Sequence, residues 1–307
     1  MFLKNKMIYS GLVFAFFSLA SWAQTPCAEK RKLLQSRPKG QLEREQSFQD
    51  YVIRIYLNRD EWYGSFEILK AGKKVYEERG YQFYISSVYE KELEKQRPEL
   101  TVPMGRDITN DGIPNLVVVE WSGGAHCCYT FYVFELGDTF RFIQKIDAGN
   151  SDLLFFQNID DEPDLEFPCW DWAYAYWYAP FVCSPAPRVF LKYKNGKYRI
   201  SKALMLENVS VPPMSGAEFE KIEKKIDEEW IKKPHIWKGE DLPYTLQSSV
   251  FNLIYSGNMD KVSEFLDLVW PKEVGGKDAY KHELIKVLLS NPYWPDILRV
   301  NGYELGF

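Results

Sequence analysis

The sequence predicts an α+β chain, β-rich over about 48–205 and α-helical over 214–307. Three observations carry this. Between Tyr51 and Ile200, short aromatic and β-branched runs are separated by turns rich in Gly, Asn and Asp. Within that region TFYVFELGDTFRFI (130–143) superposes on PRVFLKYKNGKYRI (187–200), and LVVVEW (116–121) on LEFPCW (165–170). Two diverged β units of roughly 50 residues follow from this, and Tyr51 to Leu100 offers a third. After Val211-Pro212-Pro213 the apolar spacing changes from the strand period to the helical one.

The chain opens with Lys4 and Lys6 before a mostly apolar run, Met7 to Leu19, and Ser21-Trp22-Ala23 fits a small-x-small cleavage site. This reads as a signal peptide over 1–23, too short for a lasting membrane span, and places the mature protein in the periplasm or outside the cell. The formal net charge of the whole chain is −5. The signal segment removes two lysines and no acids, so the mature chain is more acidic still, which argues against nucleic acid as a partner. Residues 24–47 are polar and broken by Pro38-Lys39-Gly40, and read as a lead-in with at most a short helix.

YVIRIYLN begins the strands at Tyr51, and GSFEILKAGKKVYEERG reads as two strands about Ala71-Gly72-Lys73. YQFYISSVY is a further strand, and KELEKQRPEL a charged loop or short helix ending near Pro98. DITNDGIPN (107–115) is an acidic turn before the apolar strand NLVVVEW, and TFYVFELGDTFRFIQKI is a hairpin turning at Gly137-Asp138. The second unit carries NIDDEPD (158–164) in the same place, with Asn158, Asp160 and Glu162 aligned on Asp107, Thr109 and Asp111.

In the C-terminal third, Ser215-x-x-Glu218 is a capping-box pattern ahead of Phe219, Ile222, Ile226 and Trp230 at helical spacing. Leu246, Val250, Leu253 and Ile254 form the next apolar face, ended by Gly257. Asn258 opens MDKVSEFLDLVW, so Ser256-Gly257-Asn258 joins an antiparallel helix pair, and Asp278 caps a last helix through Leu289. The charge run from Glu218 to Glu229 is a solvated face.

The acidic turn followed by an apolar strand resembles the calcium-loop repeats of integrin-type β-propellers, the FG-GAP/VCBS family. The segment through Ser122-Gly123-Gly124-Ala125-His126-Cys127-Cys128 is similar to exported bacterial VCBS-repeat-like proteins. The resemblance covers about Tyr51 to Ser201 and implies two or three propeller-blade-like units forming an incomplete propeller. It also implies that Asp107, Thr109, Asp111 and Asn115 are side-chain ligands of Ca²⁺, with the carbonyl of Ile113. Thr109 and Asn115 are neutral where the family prefers carboxylates, so the implied site is weak, in the range of about 10⁻⁴–10⁻³ M. The competing reading of the turn is an Asx motif whose carboxylates bind their own backbone.

Five cysteines entering an oxidising compartment favour disulfides, and the odd number leaves at least one unpaired within the chain. In the superposition Cys169 and Cys183 flank one inter-strand loop and are the easier pair. A vicinal Cys127–Cys128 bond needs a tightly kinked loop, because neighbouring Cα atoms sit only about 3.8 Å apart. The run CWDWAYAYWYAPF would, if extended, place Trp170, Trp172, Tyr174 and Tyr176 on one face, suited to stacking on a glycan or an apolar protein partner. The bland reading folds them over the core. No catalytic constellation is assigned, since His126 and Cys127 would point to opposite faces of a strand. The expectation is therefore an exported, non-enzymatic binding protein, its oligomeric state open. Its rivals are an extracellular metal-dependent hydrolase using Asp107, Asp111 or Glu120 with His126, and a carbohydrate-binding module built on 170–181.

Overall fold

The computed structural model describes residues 39–86, 90–98, 101–124, 127–151, 155–230 and 242–303, without the side chains of Glu90, Leu93 and Cys127. The signal segment, Cys27, His126 and His235 lie outside the described residues. The architecture is α+β: three antiparallel sheets and seven helices among the described residues. Two compact units divide the chain. The β unit runs through to Cys169 and takes in Leu191–Tyr198; the helical unit comprises Trp170–Phe190 and everything from Arg199 onward. The aromatic run, read from sequence as part of the β region, thus clusters with the helices.

The first sheet is a meander of β1 (Gln41–Phe48), β2 (Tyr51–Asn58), β3 (Tyr63–Lys70) and β4 (Lys73–Gly80). β2 alternates as its sequence promised, burying Tyr51, Ile53, Ile55 and Leu57. β1 corrects the lead-in reading: 41–48 is a strand. It is an edge strand held by backbone pairing to β2 and by Arg54–Glu45 and Arg59–Glu43 ion pairs, so it shows no apolar alternation. The β3–β4 hairpin turns at Ala71 and Gly72, with φ of 47° and 75°, as a two-residue turn requires.

The second sheet has the order β5 (Gln82–Ile85), β6 (Asn115–Gly124), β7 (Cys127–Leu136) and β8 (Phe140–Gly149). Its inner face and that of the first sheet close on one aromatic core. Phe66 lies edge-on to Phe83, Tyr132 and Phe134, and Tyr51, Ile53, Val118 and Leu136 complete the layer. Between β5 and β6 stands the short helix α1 (Glu90–Gln96).

The third sheet has the order β11 (Lys197–Ile200), β10 (Arg188–Lys194), β9 (Phe167–Trp170). The β10–β11 hairpin turns on Asn195-Gly196 with φ of 53° and 84°.

The helices are α2 (Lys202–Asn208), α3 (Ala217–Trp230), α4 (Tyr244–Tyr255), α5 (Val262–Val269), α6 (Lys277–Ser290) and α7 (Trp294–Val300). α3 buries Phe219, Ile226 and Trp230. α4 ends as predicted at Gly257, φ 78°, where the Asn258 N–H donates to Leu253 O at 2.8 Å in a Schellman-type closure. Asn258 then precedes a 3₁₀ turn (Met259–Lys261) without making a side-chain cap. α6 starts after Gly276, placing Asp278 in its first turn rather than at its cap. The last helix is α7, beyond the one that the sequence reading ended at Leu289. Pro295 in the first turn of α7 costs no hydrogen bond.

Candidate cation turns and an aromatic platform

The turn before β6 is wired by its own side chains. Asp107 Oδ1 accepts from the N–H groups of Thr109 (3.0 Å) and Asn110 (2.7 Å) and from Thr109 Oγ1 (3.2 Å); its Oδ2 accepts from Gly112 N–H at 2.8 Å. Asp111 Oδ1 accepts from Ile113 N–H at 3.0 Å. Asn115, wholly buried at the head of β6, accepts from Ile108 N–H at 2.8 Å and donates to Phe134 O at 3.2 Å. Positive φ at Asn110 (54°) and Gly112 (82°) makes this nested arrangement accessible. The structure brings Asp107, Thr109, Asp111, Ile113 and Asn115 into one turn, with the carboxylates engaged by backbone. Among the described residues neither Asp107 nor Asp111 has an ion-pair partner.

The turn before β9 repeats that wiring. Ile159 N–H donates to Glu166 Oε2 at 2.8 Å, the same seven-residue span as Ile108 to Asn115. Asn158 Oδ1 accepts from Asp161 N–H at 2.7 Å, as Asp107 does from Asn110. Glu166 is therefore the counterpart of Asn115, and Phe167 that of Leu116. This corrects the LVVVEW–LEFPCW superposition by two residues, because the turn fixes the register and the apolar letters alone do not.

Into this second turn reaches Lys192 of β10. Its Nζ lies 2.6 Å from Asp160 Oδ2, 3.0 Å from Glu162 Oε2, 3.3 Å from Asp164 Oδ1 and 3.0 Å from Glu166 Oε1. Glu166 is fully buried. Burial opposes the charged form of each partner. At Lys192 the hydrogen bonds to Asp160, Glu162 and Glu166 outweigh it, and the ammonium pKa rises well above its ordinary value. At Asp160 the Lys192 bond likewise overcomes burial and the pKa falls; at Glu166 burial prevails and it rises.

The run 170–181 is not extended, which overturns the one-face expectation. Asp171 caps a 3₁₀ turn (Trp172–Tyr174) by accepting from Ala173 N–H at 3.0 Å, and Tyr176 and Tyr178 have φ of 62° and 47°. The four aromatics scatter: Tyr174 is fully buried, Trp170 is 38 % exposed, Tyr176 is 64 % exposed, and Trp172 is half-buried. A different aromatic group emerges. The Trp172 and Phe181 rings stack at 5.2 Å and 8°, Tyr176 lies 5.5 Å from Phe181, and Val182 stands open beside them.

This platform rests on a buried polar network within the helical unit. Tyr255 of α4 donates its hydroxyl to Asp171 Oδ2 at 2.5 Å, and Asn291 Nδ2 donates to Asp171 Oδ2 and to Tyr174 Oη, each at 2.6 Å. Tyr174 and Tyr255 hydroxyls are 2.9 Å apart. Burial pushes the pKa of both tyrosines up, reinforced by the charge of Asp171. Further clamps are Gln247 Nε2 to Tyr178 O at 3.0 Å and Tyr176 N–H to Ser184 Oγ at 2.8 Å. Sequence reasoning missed Asp171 and Asn291; the single acid inside an aromatic run was the available signal for the first.

The Cys169–Cys183 disulfide is not formed. Both keep their thiols, Cys169 buried in β9 and Cys183 partly exposed in the 3₁₀ turn Phe181–Cys183. The physical reason is that the segment joining the neighbouring strands β9 and β10 winds through turns, so that Cys183 sits in a 3₁₀ turn within it and not on the strand facing Cys169. Cys128 is a half-cystine, so its partner is neither of those two; the vicinal bond to Cys127 falls outside the described side chains. Its N–H donates to Ser122 Oγ at 2.7 Å. Of the carboxylates offered for hydrolysis, Asp107 and Asp111 share the turn and Glu120 stands apart from them. Glu120 lies five residues along β6 from Asn115, about 17 Å in an extended strand, and accepts from Tyr132 Oη and Tyr81 N–H. Among the described residues no group of three or more His, Cys, Asp and Glu side chains is disposed to hold a metal ion. No family model, curated protein or solved structure gives a significant match to this chain.

Proposed function

We propose that the chain is an exported binding protein whose contact surface is the platform of Trp172, Tyr176 and Phe181, and whose ligand is a glycan presenting sugar-ring faces. The observation that carries this reading is the preorganisation of the exposed Tyr176 ring beside the half-buried, stacked rings of Trp172 and Phe181. Tyr176 holds a left-handed backbone, costly for a large side chain, and its loop is clamped through Asp171, Tyr178 and Ser184. Strain and a buried polar network spent on displaying aromatic rings favour recognition over a mere cover, since a rigid platform loses little entropy on binding. The β region is read as diverged blade-like units of the FG-GAP/VCBS kind, with calcium bracing the 107–115 turn weakly.

The test is titration of neutral β-linked oligosaccharides into the secreted protein, followed by tryptophan fluorescence and calorimetry, with Tyr176→Ala and Trp172→Ala alongside. Saturable binding weakened at least tenfold in both variants is expected. Absence of saturable binding up to 10 mM, a ceiling of roughly −3 kcal/mol, would sink the glycan reading. Calcium is tested separately by thermal shift, with Asp107→Ala/Asp111→Ala as the control; no response at several millimolar removes the brace.

A further inference from the structure

We infer that Lys192 is the built-in cation of the second turn: its ammonium fills the place among Asp160, Glu162, Asp164 and Glu166 that a bound ion would otherwise occupy. Four carboxylate oxygens from alternate positions of one turn converge on Nζ at 2.6–3.3 Å. Their convergence needs a positive charge, because carboxylates this close repel one another once partly removed from water. Lys192 supplies it from the neighbouring strand. The side chain is only 20 % exposed, and Asp164 and Glu166 are 11 % and 0 % exposed.

The contrast with the first turn supports the assignment. There the positions equivalent to Asp160 and Glu166 are neutral, Thr109 and Asn115. The residue paired with Asn115 across the ladder is Glu135, held by Arg141 and facing Tyr193. One turn carries few charges and is satisfied by backbone N–H groups. The other carries four carboxylates around an ammonium. In the superposition of 130–143 on 187–200, Glu135 falls on Lys192, so the acid-rich turn meets a cation and the acid-poor turn meets an acid, which is what an internal counter-ion requires. The inference stands independently of the glycan reading.

The experiment uses the full secreted chain carrying Asp107→Asn and Asp111→Asn, so that the first turn contributes no calcium response. In that background Lys192→Met is compared with Lys192, each with and without 10 mM CaCl₂. The expected result is a lowered Tm for Lys192→Met and recovery of about 3–10 °C on adding calcium, taking the Kd of a site of this class as about 10⁻⁴–10⁻³ M. The Lys192 protein should show no calcium shift. An unchanged Tm for Lys192→Met, or a lowered one that calcium does not restore, overturns the inference. Should Lys192→Met fail to accumulate, amine acetylation of the unsubstituted chain decides: Lys192 should label at least tenfold more slowly than the exposed Lys194 and Lys197. Equal labelling overturns it.

Discussion

Replacing Asp171 by alanine tests whether the buried network holds the aromatic loop. In the folded protein the carboxylate accepts from Tyr255 Oη at 2.5 Å, Asn291 Nδ2 at 2.6 Å and Ala173 N–H at 3.0 Å. Asn291 retains Tyr174 Oη as an acceptor at 2.6 Å, so its loss is partial. The Tyr255 hydroxyl is worse placed: it is buried and loses its closest acceptor, a cost of about 1–3 kcal/mol. Loss of the cap on the 3₁₀ turn adds about 1 kcal/mol. With the partial loss at Asn291, Asp171→Ala should destabilise by about 3–5 kcal/mol. Asp171→Asn keeps one acceptor oxygen but turns an amide toward other donors, and should fall between. Urea unfolding followed by tryptophan fluorescence gives these values, and Tyr255→Phe completes a double-mutant cycle. Because Asp171 and Tyr255 share one bond, the cycle should return a coupling of about 1–3 kcal/mol. A cost below 1 kcal/mol for Asp171→Ala, or strict additivity with Tyr255→Phe, would show that the network does not hold the loop.

Three further outcomes are expected. Burial raises the pKa of Tyr174, Tyr255 and Tyr280, so these groups stay neutral when folded while their unfolded forms ionise near pH 10. Stability is then complete below pH 10 and falls above it by about 4 kcal/mol per pH unit for the three together; full tyrosinate absorbance with native circular dichroism would contradict this. Gly64→Ala should be severely destabilising, because the added methyl would sit 2.4 Å from Tyr81 O and 2.7 Å from Tyr56 O, backbone atoms that cannot yield; an unchanged Tm refutes it. Under native conditions a thiol reagent should modify Cys183 and leave Cys169 until the chain unfolds; equal rates at both would be inconsistent with the burial of Cys169.

What the sequence disclosed depended on the range of the interaction that decides each element. Strands such as Tyr51–Asn58, with one face buried, print their pattern in consecutive letters. The turns at Ala71-Gly72 and Asn195-Gly196 print theirs in residues that tolerate positive φ. The strand Gln41–Phe48 did not, because backbone pairing and surface ions specify it and neither leaves an apolar trace. The run from Trp170 to Phe181 misled for the opposite reason. Its alternation is real in the letters, but Asp171 finds partners 84 and 120 residues away, and their bonds outweigh the preference of aromatics for extended backbone.

The two acidic turns carry this argument to the site itself. Both were visible as turns, and the ligand-like spacing of Asp107, Thr109, Asp111 and Asn115 was legible because it is local. Whether a turn needs an external cation is not local: it is set by the residue that the next strand delivers. In the second turn that residue is Lys192, 26 positions beyond Glu166, and its ammonium lies within ion-pair distance of all four carboxylates around it. Counting acids in the loop would rank the second turn as the stronger ion site. Counting the cation brought from β10 removes that ranking, because the four carboxylates of the second turn already surround an ammonium.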